Sequence, residues 1–380
     1  MIKYRIDQIT ENLDNLRKPL NSIERNKISK KKLYPYYGAN NLMDYVDEYI
    51  FDEEILCVAE DGGNWGYTEK CTYIVNEKCW VNNHAHVLKA KDNLNIAYLS
   101  YYLNYNNLNS YITGTTRGKL TKTALSNIEI LLPELEKQNI IVEILDKAQK
   151  LIDKRKEQIK ELDDLVKSQF IEMFGDPFND AKGFGTNKLG EVTGVNPKKA
   201  EIKDLDKELL VSFVPMDRVG EKGEFNPEVS KSIGEVYSGF TYFRENDVLF
   251  AKITPCMENG KGAVAVNLSN GIGFGSTEFH VLRPLREKSN SYWIYHLTTL
   301  IEFRRLAERK MTGSAGQKRV PTDFLNNIRV VVPPIELQNQ FADFVKQVDK
   351  LKFEMENSLK ELEDNVNSLM QKAFKGELFI

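Results

Sequence analysis

A segment near the middle of the chain is repeated near its end, 200 residues later. "NIEILLPELEKQNII" begins at residue 127 and "NIRVVVPPIELQNQF" begins at residue 327. The offset holds without a gap through the helix that follows each copy, and it pairs Pro133 with Pro333, Glu136 with Glu336, Gln138 with Gln338, Asn139 with Asn339, Leu162 with Leu362, and Phe174 with Phe374. A repeat of this length predicts a duplicated structural unit.

Each copy opens with a short apolar strand-like run that ends in proline, and a long helical pattern follows. Apolar residues in that pattern recur at alternating steps of four and three, which predicts a coiled-coil seam interrupted at Arg155 and Lys352. The predicted seam residues are Ile141, Leu145, Ala148, Ile152, Ile159, Leu162 and Val166 in the first helix, and Phe341, Val345, Val348, Met355, Leu359, Leu362 and Val366 in the second.

A single heptad helix cannot bury its apolar stripe alone, and this chain supplies two of similar length. We therefore expect the two helices to pack on each other as an intramolecular coiled coil. Antiparallel pairing is favoured, because a duplicated unit is then related to its twin by a pseudo-twofold axis.

The segments around the helices are rich in aromatics, glycines and short strand-like runs, which is typical of globular α/β structure. Faint similarities such as "HAHVLKA" (84–90) and "EFHVLRP" (278–284) relate the two globular segments to each other. The motif "FGDP" (174–177) predicts that the first helix stops at a glycine. The sequence thus predicts an α+β fold with two globular heads (1–132 and 176–332), a central helix (133–175) and a C-terminal helix (333–380).

Composition excludes several classes of protein. The hydrophobic fraction is 41% and the charged fraction 28%, no apolar run is long enough to cross a bilayer, and "MIKYRIDQITENLDN" lacks the apolar stretch of a secretory signal. Four cysteines in 380 residues are too few for a disulfide scaffold, so we expect a reducing, cytoplasmic location. The net charge of −3 gives no global indication of nucleic-acid binding, so any such site must carry local positive charge.

The chain resembles the specificity subunit of type I restriction–modification systems. The resemblance covers essentially the whole chain and rests on "YPYYGANNLMDYVDEYIFDEEIL", the "GTTRGKL" and "GSAGQKRV" loops, "NIEILLPELEKQNIIVEILD" and "LMQKAFKGELF". It implies that each head is a target recognition domain that reads one half of a split DNA sequence. It also implies that the helices set the distance between the halves.

The resemblance further implies that the chain has no active site and no cofactor of its own. Two methyltransferase subunits, which modify adenine at N6, would dock on the chain, and two restriction–translocation subunits could join them. S-adenosylmethionine, ATP and magnesium are expected on those partner subunits.

Motifs for catalysis or metal binding are weak. The segments "GDPFN" and "PPI" do not fit the Asn/Asp-Pro-Pro-aromatic loop that an adenine methyltransferase of this class needs to hold a flipped base, and the chain has no G-x-x-x-x-G-K-[ST] phosphate loop. Cys71, Cys79, His84 and His86 lie close in sequence, but their spacing matches no usual zinc pattern. Buried cysteines and strand histidines are the favoured interpretation, and no metal site is predicted.

Candidate DNA contacts lie in basic or glycine-rich loops, where small residues let the backbone approach phosphates and Asn, Lys or Arg can reach phosphates or bases. For several, the alternatives of a solvated loop, a helix ion pair or a core aromatic stay open. The candidates are Lys30, Lys31, Lys32, Tyr36, Tyr37, Asn40, Asn41, Asn64, Trp65, Arg117, Lys119 and Lys122 in the first head, and Lys252, Arg304, Arg305, Arg309, Lys310, Gln317, Lys318 and Arg319 in the second.

Two other functions are considered beside DNA specificity. The acidic net charge is compatible with a coiled-coil adaptor whose heads bind proteins rather than DNA. A stand-alone methyltransferase or nuclease is disfavoured, because the motifs for either chemistry are missing.

Overall fold

The computed structural model describes residues 2–114, 116–314 and 316–378. Contacts divide the chain into two compact units. Unit 1 contains residues 1–157 and 357–380, and unit 2 contains residues 158–356. Each unit therefore combines one head with a part of each long helix.

The first head and the first long helix contain eleven strands and five α-helices among the described residues. In chain order they are β1 (Ile2–Arg5), α1 (Ile6–Ile9), β2 (Thr10–Asn12), α2 (Ser22–Lys27), β3 (Tyr34–Gly38), β4 (Asn41–Val46), β5 (Ile55–Ala59), β6 (Thr72–Val75), β7 (Trp80–Val81), β8 (Ala85–Ala90), α3 (Ile96–Tyr105), β9 (Ile112–Thr113), β10 (Lys119–Leu120), α4 (Lys122–Ser126), β11 (Glu129–Leu132) and α5 (Leu135–Phe174).

The second head and the second long helix follow a similar order, with ten strands and six α-helices among the described residues. Their elements are β12 (Thr186–Lys188), α6 (Leu189–Val192), β13 (Thr193–Val195), β14 (Leu210–Val214), β15 (Ser230–Ser232), α7 (Ile233–Val236), β16 (Thr241–Arg244), β17 (Val248–Ala251), β18 (Gly262–Val264), β19 (Ile272–Gly275), β20 (Phe279–Pro284), α8 (Ser291–Thr299), α9 (Ile301–Glu308), α10 (Thr322–Asn327), β21 (Arg329–Val331) and α11 (Ile335–Lys375).

The two heads contain the same four-stranded sheet order and a related second sheet. A four-stranded antiparallel sheet has the order β2-β8-β5-β6 in the first head and β13-β20-β17-β18 in the second. A second, small sheet has three strands in the order β4-β3-β7 in the first head and four in the order β15-β14-β19-β16 in the second, and its parallel pairs are β3 with β7 and β14 with β19. In both heads the first strand pairs antiparallel with the strand that precedes the long helix. The predicted α+β fold is confirmed.

Each head shares its hydrophobic core with the helical segments of its own unit. In unit 1 a single cluster joins Leu99 of α3 to Ile141 and Leu145 of α5 and to Phe374 of α11. In unit 2 the corresponding cluster joins Trp293 of α8, Phe170 and Phe174 of α5, and Phe341 and Val345 of α11. Because one continuous apolar core spans head and helices, the head of each unit is packed against its helical segments.

The two long helices run antiparallel within each unit. In unit 1 the Lys156 ammonium lies 2.8 Å from the Glu363 carboxylate, and in unit 2 the rings of Phe170 and Phe341 pack edge to face at 5.4 Å. The polar interruption at Lys352 has a partner, because its ammonium donates to the Asp163 carboxylate at 2.6 Å. All fourteen predicted seam residues are buried or half-buried.

The first long helix ends where the sequence predicts. Gly175 follows its last residue, has a φ of +75° and donates its backbone N–H to the Ile171 carbonyl, as expected of a glycine helix stop. Among the described residues, every helix is too short or too polar to cross a lipid bilayer.

Candidate nucleic-acid interface

Two glycine-initiated loops lie at equivalent positions, one in each head. In the first head the loop is 114–120 and in the second it is 313–320, and each leads into the short helix that precedes the repeated strand. Gly114 and Gly313 have φ values of +95° and +129°, and a Cβ at either would meet a loop carbonyl oxygen within 2.7 Å. Glycine is therefore required at both turns.

A buried histidine attaches each loop to the large sheet. His86 Nε2 donates to the Leu120 carbonyl at 2.8 Å, and His280 Nε2 donates to the Val320 carbonyl, also at 2.8 Å. The sequence similarity around these histidines showed that the two positions correspond, but it gave no sign of this contact. The same side chain thus holds the end of the candidate loop in both heads.

The partner of the other ring nitrogen differs between the heads. In the first head Nδ1 of His86 lies 2.6 Å from the Asp14 carboxylate, whereas in the second head the Asn196 amide donates to His280 Nδ1 at 3.0 Å. Burial alone would raise the pKa of Asp14, but its hydrogen bond to His86 and the nearby charges lower it. Burial lowers the pKa of His280, which keeps that ring neutral.

Three loops meet at one end of the first head. The Asn40 side chain donates to the Gly62 carbonyl at 3.2 Å, and the Gly62 backbone N–H donates to the Gly118 carbonyl at 3.3 Å. Asn41, the first residue of β4, and Asn64, two residues after Gly62, are exposed. The structure therefore brings Asn40, Asn41, Asn64 and the 114–120 loop together.

In the first head's loop, the basic residues predicted to contact phosphates form ion pairs with carboxylates. Arg117 lies 2.7 Å from Asp61, and Lys119 lies 2.9 Å from Glu60. The sequence showed the basic residues of this loop, but their acidic partners come from a distant turn. Any phosphate that approaches these cations must compete with the carboxylates.

The corresponding loops of the second head meet in the same way. The backbone N–H of Thr254 donates to the Lys318 carbonyl at 3.1 Å, and Arg319 forms a forked pair with the Glu278 carboxylate. Lys252 is half-buried beside this pair, and its pKa is lowered chiefly by burial and also by the Arg319 charge, although Glu278 opposes this shift. Gln317 and Lys318 are exposed, and Lys318 has no ion pair to another described residue.

Four candidates from the sequence are core residues, which corrects the prediction of DNA contact for them. Tyr36 and Tyr37 are buried in the small sheet, and Trp65 is buried with its indole N–H directed at the Ala59 carbonyl. Arg304 is also buried, and its guanidinium donates to three backbone carbonyls of its own unit. These side chains are covered by protein and have no face free for a base or a phosphate.

The remaining candidates are exposed but lie elsewhere. The backbone N–H groups of Lys30, Lys31 and Lys32 all donate to the Asp47 carboxylate, at the far end of the β3–β4 ribbon from Asn40. At about 3.3 Å per residue, the ribbon separates these two regions by roughly 15–20 Å. The other exposed candidates are Lys122 at the start of α4, Arg305 on α9, and Arg309 and Lys310 in the turn after α9.

Strand β4 carries an exposed apolar surface that the sequence did not predict. Leu42, Met43 and Tyr45 are 44%, 58% and 42% exposed on this edge strand, and Leu33 and Tyr49 are exposed nearby. The segment "NLMDYV" lacks a clean alternation of polar and apolar residues, and this irregularity could have indicated that apolar side chains face solvent.

Asp14, Glu60 and His86 place ligand atoms within 4.8 Å of one another. All three side chains already have partners, because His86 bonds Asp14 and Leu120 while Glu60 bonds Arg17 at 2.7 Å and Lys119. This cluster is a charged hydrogen-bond network inside the head. Of the residues considered from sequence for zinc, Cys71 contacts the Leu103 carbonyl and His84 contacts Asp61.

Comparison with known proteins gives a consistent match. Residues 3–163 and 181–364 match the family described as type I restriction modification DNA specificity domain. The chain is 38% identical over 179 residues to the type I restriction enzyme EcoEI specificity subunit of Escherichia coli, covering 47% of this chain and 29% of that protein. It is 35% identical over 199 residues to the EcoAI specificity subunit of the same species, covering 51% and 33%.

A longer alignment links the chain to a putative type I restriction enzyme specificity subunit of Haemophilus influenzae, with 26% identity over 359 residues, 91% of this chain and 87% of that protein. By contrast, the aligned part of the chain spans only about a third of the two E. coli relatives.

Two solved structures share the fold. The S subunit of a type I restriction–modification system from M. genitalium aligns with a TM-score of 0.56 and 14% identity over 98% of this chain and 96% of that one. A chain solved in work on complex assembly and conformational transition of the type I R-M system aligns with a TM-score of 0.57 and 16% identity over 99% and 98%. Together with the family match over both repeats, these findings show that the chain belongs to the family of type I restriction–modification DNA specificity proteins.

Proposed function

We propose that this chain is the DNA specificity subunit of a type I restriction–modification complex and has no active site of its own. Each head reads one half of a bipartite duplex target. The helical segments dock methyltransferase subunits that modify adenine at N6, and restriction subunits join the same assembly. S-adenosylmethionine, ATP and magnesium bind to those partners.

One observation carries this proposal. The same head-and-helix arrangement occurs twice, yet the equivalent loops of the two heads present different side chains. The first head offers Asn40, Asn64 and Arg117 at its loop end, and the second offers Gln317 and Lys318. Two readers of one architecture with different contact chemistry are suited to a target whose halves differ.

The loop ion pairs are compatible with this role. Arg117 is 61% exposed although it pairs with Asp61. Asp61 also contacts His84, so it keeps a partner when a phosphate takes up the exposed Arg117 guanidinium. Because the acidic partners compete with every phosphate, the sequence preference of this loop must come from base contacts rather than from these cations.

The decisive experiment uses the complete chain with its methyltransferase partner. The complex is incubated with S-adenosylmethionine and random duplex DNA, and the modified adenines are located by sequencing. The expected result is one split motif with a fixed spacer. If residues 1–132 are replaced with the head of another specificity protein, one half of the motif should change and the other should remain.

Unchanged methylation after this replacement would contradict the proposal. The adaptor alternative predicts no salt-dependent DNA affinity in the free chain or in the complex. A stand-alone methyltransferase predicts S-adenosylmethionine binding by this chain without a partner.

A loop variant tests the interface locally. Lys318→Ala should weaken DNA binding and reduce the slope of log affinity against log salt by about one, as expected for one lost phosphate contact. Arg286→Ala is the matched control, because it also removes an exposed positive charge of the second head but lies outside the loop. Equal salt slopes for the two variants would exclude Lys318 as a phosphate contact.

A further inference from the structure

A completely buried glutamine joins the first head to the start of its long helix. The Gln138 side chain accepts a hydrogen bond from the backbone N–H of Asn95 at 2.8 Å. Its amide group donates to the Asn93 carbonyl at 2.9 Å and to the Pro133 carbonyl at 2.8 Å. One side chain thus fixes the loop before α3, the end of β11 and the first turn of α5 to one another.

Unit 2 contains the same arrangement. Gln338, also completely buried, accepts from the backbone N–H of Asn290 at 2.9 Å. Its amide donates to the Lys288 carbonyl at 3.2 Å and to the Pro333 carbonyl at 2.8 Å. The chain therefore forms this three-bond junction twice, although the head loops that it holds differ in sequence.

An outer hydrogen bond reinforces each junction. The Asn95 side chain donates to the Asn139 side chain at 2.8 Å, and the Asn290 side chain donates to that of Asn339 at 2.9 Å. The carbonyl of the Asn95 side chain also accepts from the Ala97 backbone N–H and so begins helix α3. The orientation of α3 is thereby coupled directly to the first turn of the long helix.

Hydrogen bonds and apolar packing have different consequences at this junction. The shared core attaches the head to its helix, but hydrophobic burial is not directional. Hydrogen bonds weaken steeply when their distance or angle changes, so the glutamine defines the rotation and register of the head relative to the helix. A small change at this point moves the distant loops of the head by a larger amount.

We propose that Gln138 and Gln338 are positioning residues that set the spacing between the two halves of the DNA target. This inference rests on the proposed function and adds to it a physical determinant of spacer length. Neither side chain contacts DNA, because both are buried at the junction of head and helix.

The test measures spacer preference rather than total activity. The wild-type complex first identifies its split motif, and a library then presents the same half-sites with spacers one or two base pairs longer or shorter. Gln138→Ala and Gln338→Ala should each raise methylation at off-length spacers, relative to the preferred one, by about fivefold. That change corresponds to about 1 kcal/mol, which is typical of one net hydrogen bond.

Matched controls separate positioning from general stability. Gln340→Ala lies two residues after Gln338 on an exposed face of α11, and Gln149→Ala lies on α5 away from the junction. Both controls should keep the wild-type spacer preference. Lower thermal stability and lower total methylation in the junction variants, with an unchanged spacer preference, would overturn the proposal and leave a purely structural role.

A milder variant covers the case in which a junction variant does not fold. Asn339→Ala removes only the outer bond from an exposed side chain, and a smaller relaxation in the same direction is expected. If this variant retains strict spacing, the proposal is wrong. If the wild-type complex methylates an unsplit site, the proposed function itself fails, and that result is distinct from strict spacing in the variants.

Discussion

The two heads have the same strand order in their four-stranded antiparallel sheets but hold charged groups in different ways. At equivalent positions on strands β8 and β20, Lys89 of the first head pairs with Glu53, and Arg283 of the second pairs with Asp247. The first pair is exposed, whereas Asp247 is 2% exposed and takes two bonds of 2.7 Å from the Arg283 guanidinium. One sheet thus accommodates either a solvated pair or a buried forked pair.

Other charged or titratable side chains also differ in burial between the two heads. The second head also buries Arg304 and half-buries His296, while the charged cluster of the first head remains linked to its surface through Lys119. The comparison teaches that the shared backbone topology depends on the apolar core, and that polar interior groups can diverge around it. It also predicts that the second head is the more sensitive to loss of a charged side chain.

The largest effect is expected from removal of the buried carboxylate. Asp247→Ala leaves the Arg283 guanidinium without its forked partner and should lower the free energy of unfolding of unit 2 by about 3–5 kcal/mol. Glu53→Ala should change that of unit 1 by only about 0–1 kcal/mol, because its pair is exposed. Urea unfolding followed by peptide-resolved hydrogen exchange measures both, and similar losses in the two variants would contradict the comparison.

Arg304 should be nearly as sensitive. Arg304→Met keeps much of the side-chain volume but removes the donor to the carbonyls of Thr298, Met257 and Gly260, of which Met257 keeps a bond from the Gly260 backbone N–H. Unsatisfied buried acceptors should lower the free energy of unfolding of unit 2 by about 2–4 kcal/mol. Arg305→Met on the same helix is the control, and thermal melts should show little change because Arg305 is exposed.

Acid should destabilise unit 2 through the half-buried His296 and the buried His280. Burial lowers the pKa of His296 to about 4, and that of His280 is also lowered. The unfolded chain therefore binds protons first, so stability is complete above about pH 6.5 and falls as the pH decreases toward 4. For His296 alone the loss at pH 4 is on the order of 3 kcal/mol. His296→Phe should make the stability of unit 2, measured by hydrogen exchange, less dependent on pH. An unchanged pH dependence would exclude His296 as the cause.

The smallest expected change exchanges the histidine partners of the two heads. Asp14→Asn gives His86 an amide like that beside His280, and loss of a charge-assisted bond should cost unit 1 about 1–2 kcal/mol at neutral pH. Asn196→Asp places a carboxylate beside His280, which favours the imidazolium and should reduce the acid sensitivity of unit 2. Melting curves between pH 5 and 7 measure the stability change in each variant. Identical shifts in the two variants would contradict the different roles given to Asp14 and Asn196.

The sequence alone predicted the parts of this protein that depend on local periodicity. The 200-residue repeat indicated the duplicated unit, the four–three spacing indicated two long helices, and the glycine after Phe174 indicated where the first helix ends. These features are readable because neighbouring residues determine helix, strand and turn within a short window. The family resemblance rested on the same repeated segments.

Tertiary structure decided which candidate side chains are available. Tyr36, Trp65 and Arg304 had the right residue types for DNA contact, yet each is buried against residues distant in the chain. Arg117 meets Asp61 and His86 meets Leu120 across separations of 56 and 34 residues. Local patterns cannot specify such pairings, because burial and ion pairing depend on which distant segments the fold brings within a few ångströms.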